Sequence, residues 1–152
     1  MKSTKVLFLG FIIFIALSCD KKSEDEDPSI SLSDFVGSWS ATSSVYTNKA
    51  NSSQVIDIIA LGGELRFTLL ENGGLRTWVT VGTYSDEWDS QAVVSGNTIT
   101  LTPAELERGV TTFTYELEGN SLKLTNSNSS FDFTLSGADM VPATSVSTFI
   151  RS

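Results

Sequence analysis

Beyond about Ser29, apolar residues alternate with serine, threonine and charged residues, and a period of two is the mark of strands with one buried face. Phe35, Gly37, Trp39, Ala41 and Val45 fall on one side of the first such run, opposite Ser38, Ser40, Thr42 and Ser44. Leu65, Phe67 and Leu69 alternate with Arg66 and Thr68. The pattern returns at Ile99 and Leu101, at Phe113, Tyr115 and Leu117, and at Leu122 and Leu124. It closes with Phe131, Phe133 and Leu135, then Val146, Thr148 and Ile150. Between these runs, Asn72-Gly73-Gly74, Gly96-Asn97 and Gly119-Asn120 supply residues that accept the positive φ angles of tight hairpins.

Two phrases, 95–102 and 118–125, are nearly the same and read as equivalent turn-plus-strand units of a meander; two copies are too few for a solenoid. Helix is scarce. Thr102-Pro103-Ala104-Glu105 has a cap residue, a proline and a glutamate in the order that opens a short helical turn before Gly109. The apolar stretch 55–61 fits either a strand or a short lid helix.

About eight antiparallel strands in one short domain must hide their edges. Sequential hairpins predict an all-β, up-and-down antiparallel barrel, with a β-sandwich of similar strand count as the alternative. One core is expected, since the chain beyond the tether is of single-domain length.

The first residues follow a different logic. Lys2 and Lys5 precede a run, 6–17, with no polar side chain, and Ser18-Cys19 follows. A membrane-spanning helix needs about 20 apolar residues, so this segment reads as a cleaved secretory signal. Ala16-Leu17-Ser18-Cys19 resembles the lipobox of bacterial lipoproteins, with Ala16 where an aliphatic residue is usual. The resemblance implies a signal peptide over 1–18, acylation of Cys19, and permanent attachment to a membrane, because two or more acyl chains hold where one does not.

Cys19 is the single cysteine, so the domain has no disulfide available. Residues 20–27 carry five carboxylates and two lysines without an apolar side chain, and read as part of a solvated tether over 19–34. This acidic stretch is similar to the one behind the lipidated cysteine of surface-exported lipoproteins of Bacteroidota, which implies the cell envelope, at the outer membrane or cell surface. Without Lys2 and Lys5, eight basic side chains face eighteen acidic ones, a net charge of −10. Such a surface repels phosphate backbones and excludes nucleic acid as a partner.

Phe35-Val36-Gly37-Ser38-Trp39 resembles the Gly-x-Trp opening of lipocalins, and the chain is most similar to the lipocalin-like domains of Bacteroidota lipoproteins. The two repeated phrases and the closing Phe149-Ile150-Arg151 extend the likeness over most of 35–151. The resemblance implies a lipocalin-like barrel over 35–152 and a structural lock. In that lock Gly37 bends the chain into the first strand, Trp39 plugs the closed end, and Arg151 covers the indole. The lack of a disulfide, the lack of a C-terminal helix and the long excursion over 47–63 depart from the pattern.

The chain has no histidine, which removes Ser-His-Asp and Cys-His catalysis and imidazole metal ligation. No cofactor and no enzymatic activity are expected. Asp86, Glu87 and Asp89, beside Trp88, form the one compact acidic cluster, a candidate for a hard cation but more simply a solvated loop between strands. An eight-strand barrel has room for packed side chains or one small ligand. Phe67, Phe113, Tyr115, Phe131 and Phe133 share the expected inner face and are the candidate lining. The expected function is therefore non-catalytic binding of a small hydrophobic or amphipathic molecule. The alternative is a structural or protein-interaction module with a filled barrel.

Overall fold

In a computed structural model of the chain, which describes residues 30–136 and 139–152, the alternating segments form antiparallel strands. They are β1 (Gly37–Asn48), β2 (Val55–Asp57), β3 (Glu64–Leu69), β4 (Gly74–Val81), β5 (Tyr84–Ser95), β6 (Thr98–Pro103), β7 (Thr111–Glu118), β8 (Ser121–Phe131) and β9 (Val141–Arg151). From β3 onward each strand pairs with the next, and β9 returns to pair with β1 from Trp39↔Arg151 to Asn48↔Ala143. The result is a closed eight-strand meander, an up-and-down barrel with β2 as an added ninth strand. β3 pairs only with the start of β1, from Gly37 to Ser40, and β2 covers the stretch of β1 from Val45 to Thr47 that β3 leaves bare.

Turn chemistry sets the register. Ser95↔Thr98 and Glu118↔Ser121 flank two-residue Gly-Asn loops in which Gly96 has φ +55° and Gly119 φ +58°, the first-position glycine of a type II′ hairpin. The apolar stretch at 55–61 resolves into β2 followed by turns. Beyond Pro103, which ends β6, a short 3-10 helix spans Leu106–Arg108.

Three expectations are corrected by irregularities that a strict period of two cannot see. In β1 the register passes from Ala41↔Phe149 to Ser43↔Thr148, so Thr42 is an extra residue and the inner face shifts by one. Ser44 is then fully buried and Val45 is not its inward neighbour. In β9 the buried positions are Ala143, Ser145, Ser147 and Phe149, while Ile150 is 51% exposed. The expected inward set of Val146, Thr148 and Ile150 is therefore on the outer face. A one-residue error in phase inverts a whole strand, and here the polarity of Ser145 and Ser147 disguised the inner face. In β8 a second bulge lies between Asn126 and Ser129, and the strand ends at Phe131. Residues 132–136 are a turn, not a strand, with Asp132 buried and Leu135 exposed at φ +57°.

A fourth correction concerns the acidic cluster. Asp86, Glu87 and Asp89 lie inside β5, not in a loop. Cys19, the expected signal peptide and most of the expected tether lie outside the described residues. A 3-10 helix over Leu32–Phe35, whose first three residues fall in the segment read as tether, already belongs to the fold, and Leu32 packs against the core.

Candidate functional site

The bottom of the barrel, where β1 begins and β9 ends, is packed shut. Ser31 N–H donates to the Asp34 carboxylate at 2.7 Å, fixing the entry to the 3-10 helix. That helix places Phe35, fully buried, edge-on to Tyr115 with ring centroids 4.8 Å apart. The Phe35 carbonyl accepts the Trp39 indole N–H at 2.8 Å, so the helix and the first strand are tied through the largest side chain of the core. Between them Gly37 has φ +130°, a conformation closed to side chains with a Cβ.

The Arg151 guanidinium sits 4.6 Å over the Trp39 ring and donates to the Asp34 carbonyl. Trp39 also stacks on Phe67 at 6.1 Å, and Phe67 meets Phe149 edge-on at 5.1 Å. Leu69, Leu75, Ala92, Ile99, Leu122 and Leu124 complete this core. The residues of the expected lock are thus brought together.

Further up the inner face the material changes. Ser44, Thr77, Ser90, Asn126, Ser145 and Ser147 are buried polar residues on five strands. The Ser44 and Ser147 hydroxyls meet at 2.8 Å. Four pairings separate β5 from β9 in either direction round the ring, so these two strands face each other. The less exposed face of β5 carries Trp88, Ser90 and, in the lower core, Ala92, and that of β9 carries Ala143, Ser145, Ser147 and, in the lower core, Phe149. The Ser90 hydroxyl is buried and has no hydrogen-bond partner.

The upper rim is held by polar contacts. Asp57, at the end of β2, accepts N–H bonds from Ser44 at 3.0 Å and Ile59 at 3.0 Å. Burial raises the pKa of this carboxyl, but the bonds from Ser44, Ile59, Ala60 and Ser43 outweigh it and bring the group below its ordinary value. Across the mouth, Arg108 from the 3-10 helix after β6 reaches both Asp86 oxygens, at 2.8 and 3.1 Å, and Glu105 at 2.6 Å. It also lies 5.0 Å over the Trp88 ring. The Arg108 hydrogen bonds hold the Asp86 carboxyl below the usual range. Tyr46 stacks on Phe131 at 4.2 Å, and Phe131 meets Phe133 edge-on at 5.3 Å. Burial lifts the Tyr46 phenol above its ordinary pKa.

The five aromatics expected to line one cavity are therefore divided. Phe67 and Tyr115 belong to the bottom plug, and Phe113 packs against it. Phe131 and Phe133 sit at the rim with Tyr46. The acidic trio is divided too: Asp86 faces Arg108, while Glu87 and Asp89 face Arg76 from the other side of β5, at 3.4 and 2.8 Å. Among the described residues no group of three or more His, Cys, Asp or Glu side chains is arranged to hold a metal. The serines of the upper wall were missed because isolated serines in strands read as outward residues. The signal that finds them is the bulge at Thr42, which the sequence alone does not reveal.

Fold and site together define an all-β antiparallel barrel with one plugged end and one polar, small-residue end. No protein-family model matches the chain, and no curated protein matches it.

Proposed function

We propose that this chain is a membrane-anchored, non-catalytic binding lipoprotein. It is acylated at Cys19, carried on an acidic tether at the cell envelope, and holds a small hydrophobic or amphipathic molecule in a lipocalin-like barrel. The observation that carries the binding reading is the change of inner-face material above the aromatic plug, where Ser44, Thr77, Ser90, Asn126, Ser145 and Ser147 bury polar groups inside a closed barrel. A barrel built only as a scaffold gains by placing apolar side chains at those positions, since burying polar groups is costly. The hydroxyls of Ser44 and Ser147 face one another instead of a general base, and the chain has no histidine, so the site suits binding and not acyl transfer.

Native mass spectrometry of the full chain, followed by solvent extraction and identification of any co-purified small molecule, tests the binding reading. Bound apolar or amphipathic mass is the expected result. An empty protein that no such compound stabilises against heat would overturn it in favour of a scaffold. Replacing Cys19 by Ser is expected to abolish acylation and release the chain from the membrane fraction.

A further inference from the structure

The barrel wall is continuous only in its lower part. β5 pairs with β6 from Ser95↔Thr98 up to Ser90↔Pro103, and above that level its stretch from Tyr84 to Asp89 pairs with β4 alone. β7 begins at Thr111, opposite Leu101, and β8 runs on past Thr125, its last residue paired with β7, with β9 alone. β6 and β7 therefore stop short of the strands on either side, and the upper wall has a notch between β5 and β8. Three strand spacings separate these two strands, about 14 Å along the wall.

Residues 104–110, which join β6 to β7, run along the β5 side of this notch. The Ala104 N–H donates to the Asp89 carbonyl at 2.9 Å, and among the described residues this is the one backbone bond between the segment and the wall. Residues two apart in a strand turn their backbone groups to the same side, so the Glu87 N–H also points into the notch. The Asp86 carboxylate accepts it at 2.9 Å, where a neighbouring strand would offer a carbonyl.

The remaining attachment is one side chain. Arg108 donates to both Asp86 oxygens, at 2.8 and 3.1 Å, and lies 5.0 Å over the Trp88 ring. Its other partner, Glu105, belongs to the same segment. Ala104, Glu105, Glu107, Gly109 and Val110 are exposed, Val110 by 65%. A segment that buries so little apolar surface has low local stability. The bidentate, charge-assisted pair is strong for a single contact, but the Arg108 and Asp86 side chains keep 30% and 22% of their surface in water, so screening limits its hold.

We propose that residues 104–110 form a releasable strap, fastened along the notch by the Arg108–Asp86 pair and able to swing out while the rest of the barrel stays folded. Fastened, it covers a strand edge that would otherwise be open to pairing with another chain. Released, it bares that edge and the Trp88 ring.

Limited tryptic digestion of the full chain in detergent micelles, with the fragments read by mass spectrometry, tests this. Trypsin cuts after Arg108 only once the guanidinium has left Asp86, so the rate of that cut follows the open population. Cuts after Arg66 and Arg76, inside the paired strands β3 and β4, report unfolding of the barrel. Asp86→Asn keeps an acceptor for the Glu87 N–H and removes the charge. It is expected to speed the Arg108 cut about 5- to 10-fold, the worth of a charge-assisted bond after screening, with the Arg66 and Arg76 cuts at parent rates. Glu116→Gln, which breaks the exposed pair with Lys123 elsewhere on the wall, is expected to leave the Arg108 cut unchanged. An unchanged Arg108 cut in Asp86→Asn overturns the proposal. So does equal acceleration at Arg66 and Arg76, which would make the segment a fixed part of the wall, and so does an equal effect of Glu116→Gln.

Discussion

The two halves of the barrel interior are built from opposite materials on the same strands. β1 carries Trp39, fully buried in the plug, and a few residues later Ser44, fully buried among hydroxyls. β9 carries Phe149 below and Ser145 and Ser147 above. The lower half uses large rings in defined contacts, closed by a cation over an indole. The upper half buries small polar groups, some satisfied by each other and one by nothing. The contrast teaches where apolar packing and buried polarity are placed: one end fastens the fold with rings, and the other gives up apolar burial for hydroxyl and amide groups. Functional sites are commonly drawn from the less stable part of a structure.

That contrast predicts a steep gradient of mutational cost along the barrel axis. Trp39→Ala removes the largest buried side chain, its bond to the Phe35 carbonyl and the surface beneath Arg151. A loss of about 3–5 kcal/mol, or failure to fold, is expected in denaturant unfolding. A loss below about 1 kcal/mol would mean the plug does not hold the fold together. Arg151→Ala keeps the ring but uncovers it, and should cost about 0.5–2 kcal/mol. Arg151→Lys should recover only part of that, since an ammonium lacks the planar face that lies over the indole.

The lower half was legible in the sequence because it obeys the simple rules. Gly37, Trp39 and Arg151 stand at the ends of regular runs, and the large residues of β3, β6 and β7 mark their inner faces by size alone. The glycine-asparagine hairpins fixed the meander in the same way. The upper half was illegible for two physical reasons. The bulges at Thr42 and between Asn126 and Ser129 break the period of two at mid-strand. Above them the inner face is made of serine, which pattern reading assigns to solvent. The acidic cluster misled for a related cause. A strand paired on both sides tolerates charge when arginines from neighbouring elements sit opposite, as Arg76 and Arg108 do here.

Within the upper half the satisfied hydroxyls should matter more than the orphan one. Ser44→Ala leaves Ser147 without its 2.8 Å partner in a buried position. A cost of about 1 kcal/mol is expected, whereas Ser90→Ala, which removes a buried hydroxyl without a partner, is expected to raise stability slightly. A double-mutant cycle of Ser44→Ala with Ser147→Ala measures the coupling, and additivity within about 0.3 kcal/mol would show that the pair does not interact. Since the rings of the plug are untouched, neither variant should alter the effect of Arg151→Ala.

The smallest expected effect is at the rim and depends on pH. Asp57 has a folded pKa below its ordinary value, because the N–H donors of Ser44, Ile59 and Ala60 favour the ionised carboxylate over the opposing effect of burial. The fold therefore binds this proton less readily than the unfolded chain does. The stabilisation is complete above the ordinary carboxylate range, near pH 4, and is lost as the pH falls through the folded value. After allowance for solvent screening, less than about 1 kcal/mol is at stake. Asp57→Asn should lower stability slightly at neutral pH and converge with the parent in acid, because an amide still accepts hydrogen bonds but carries no charge to lose. Unfolding curves of the two proteins at pH 7 and pH 3 measure the difference. If the gap stays constant or widens in acid, β2 is fastened to β1 by its backbone pairing at Val45–Thr47 alone, and the rim owes nothing to the charge on Asp57.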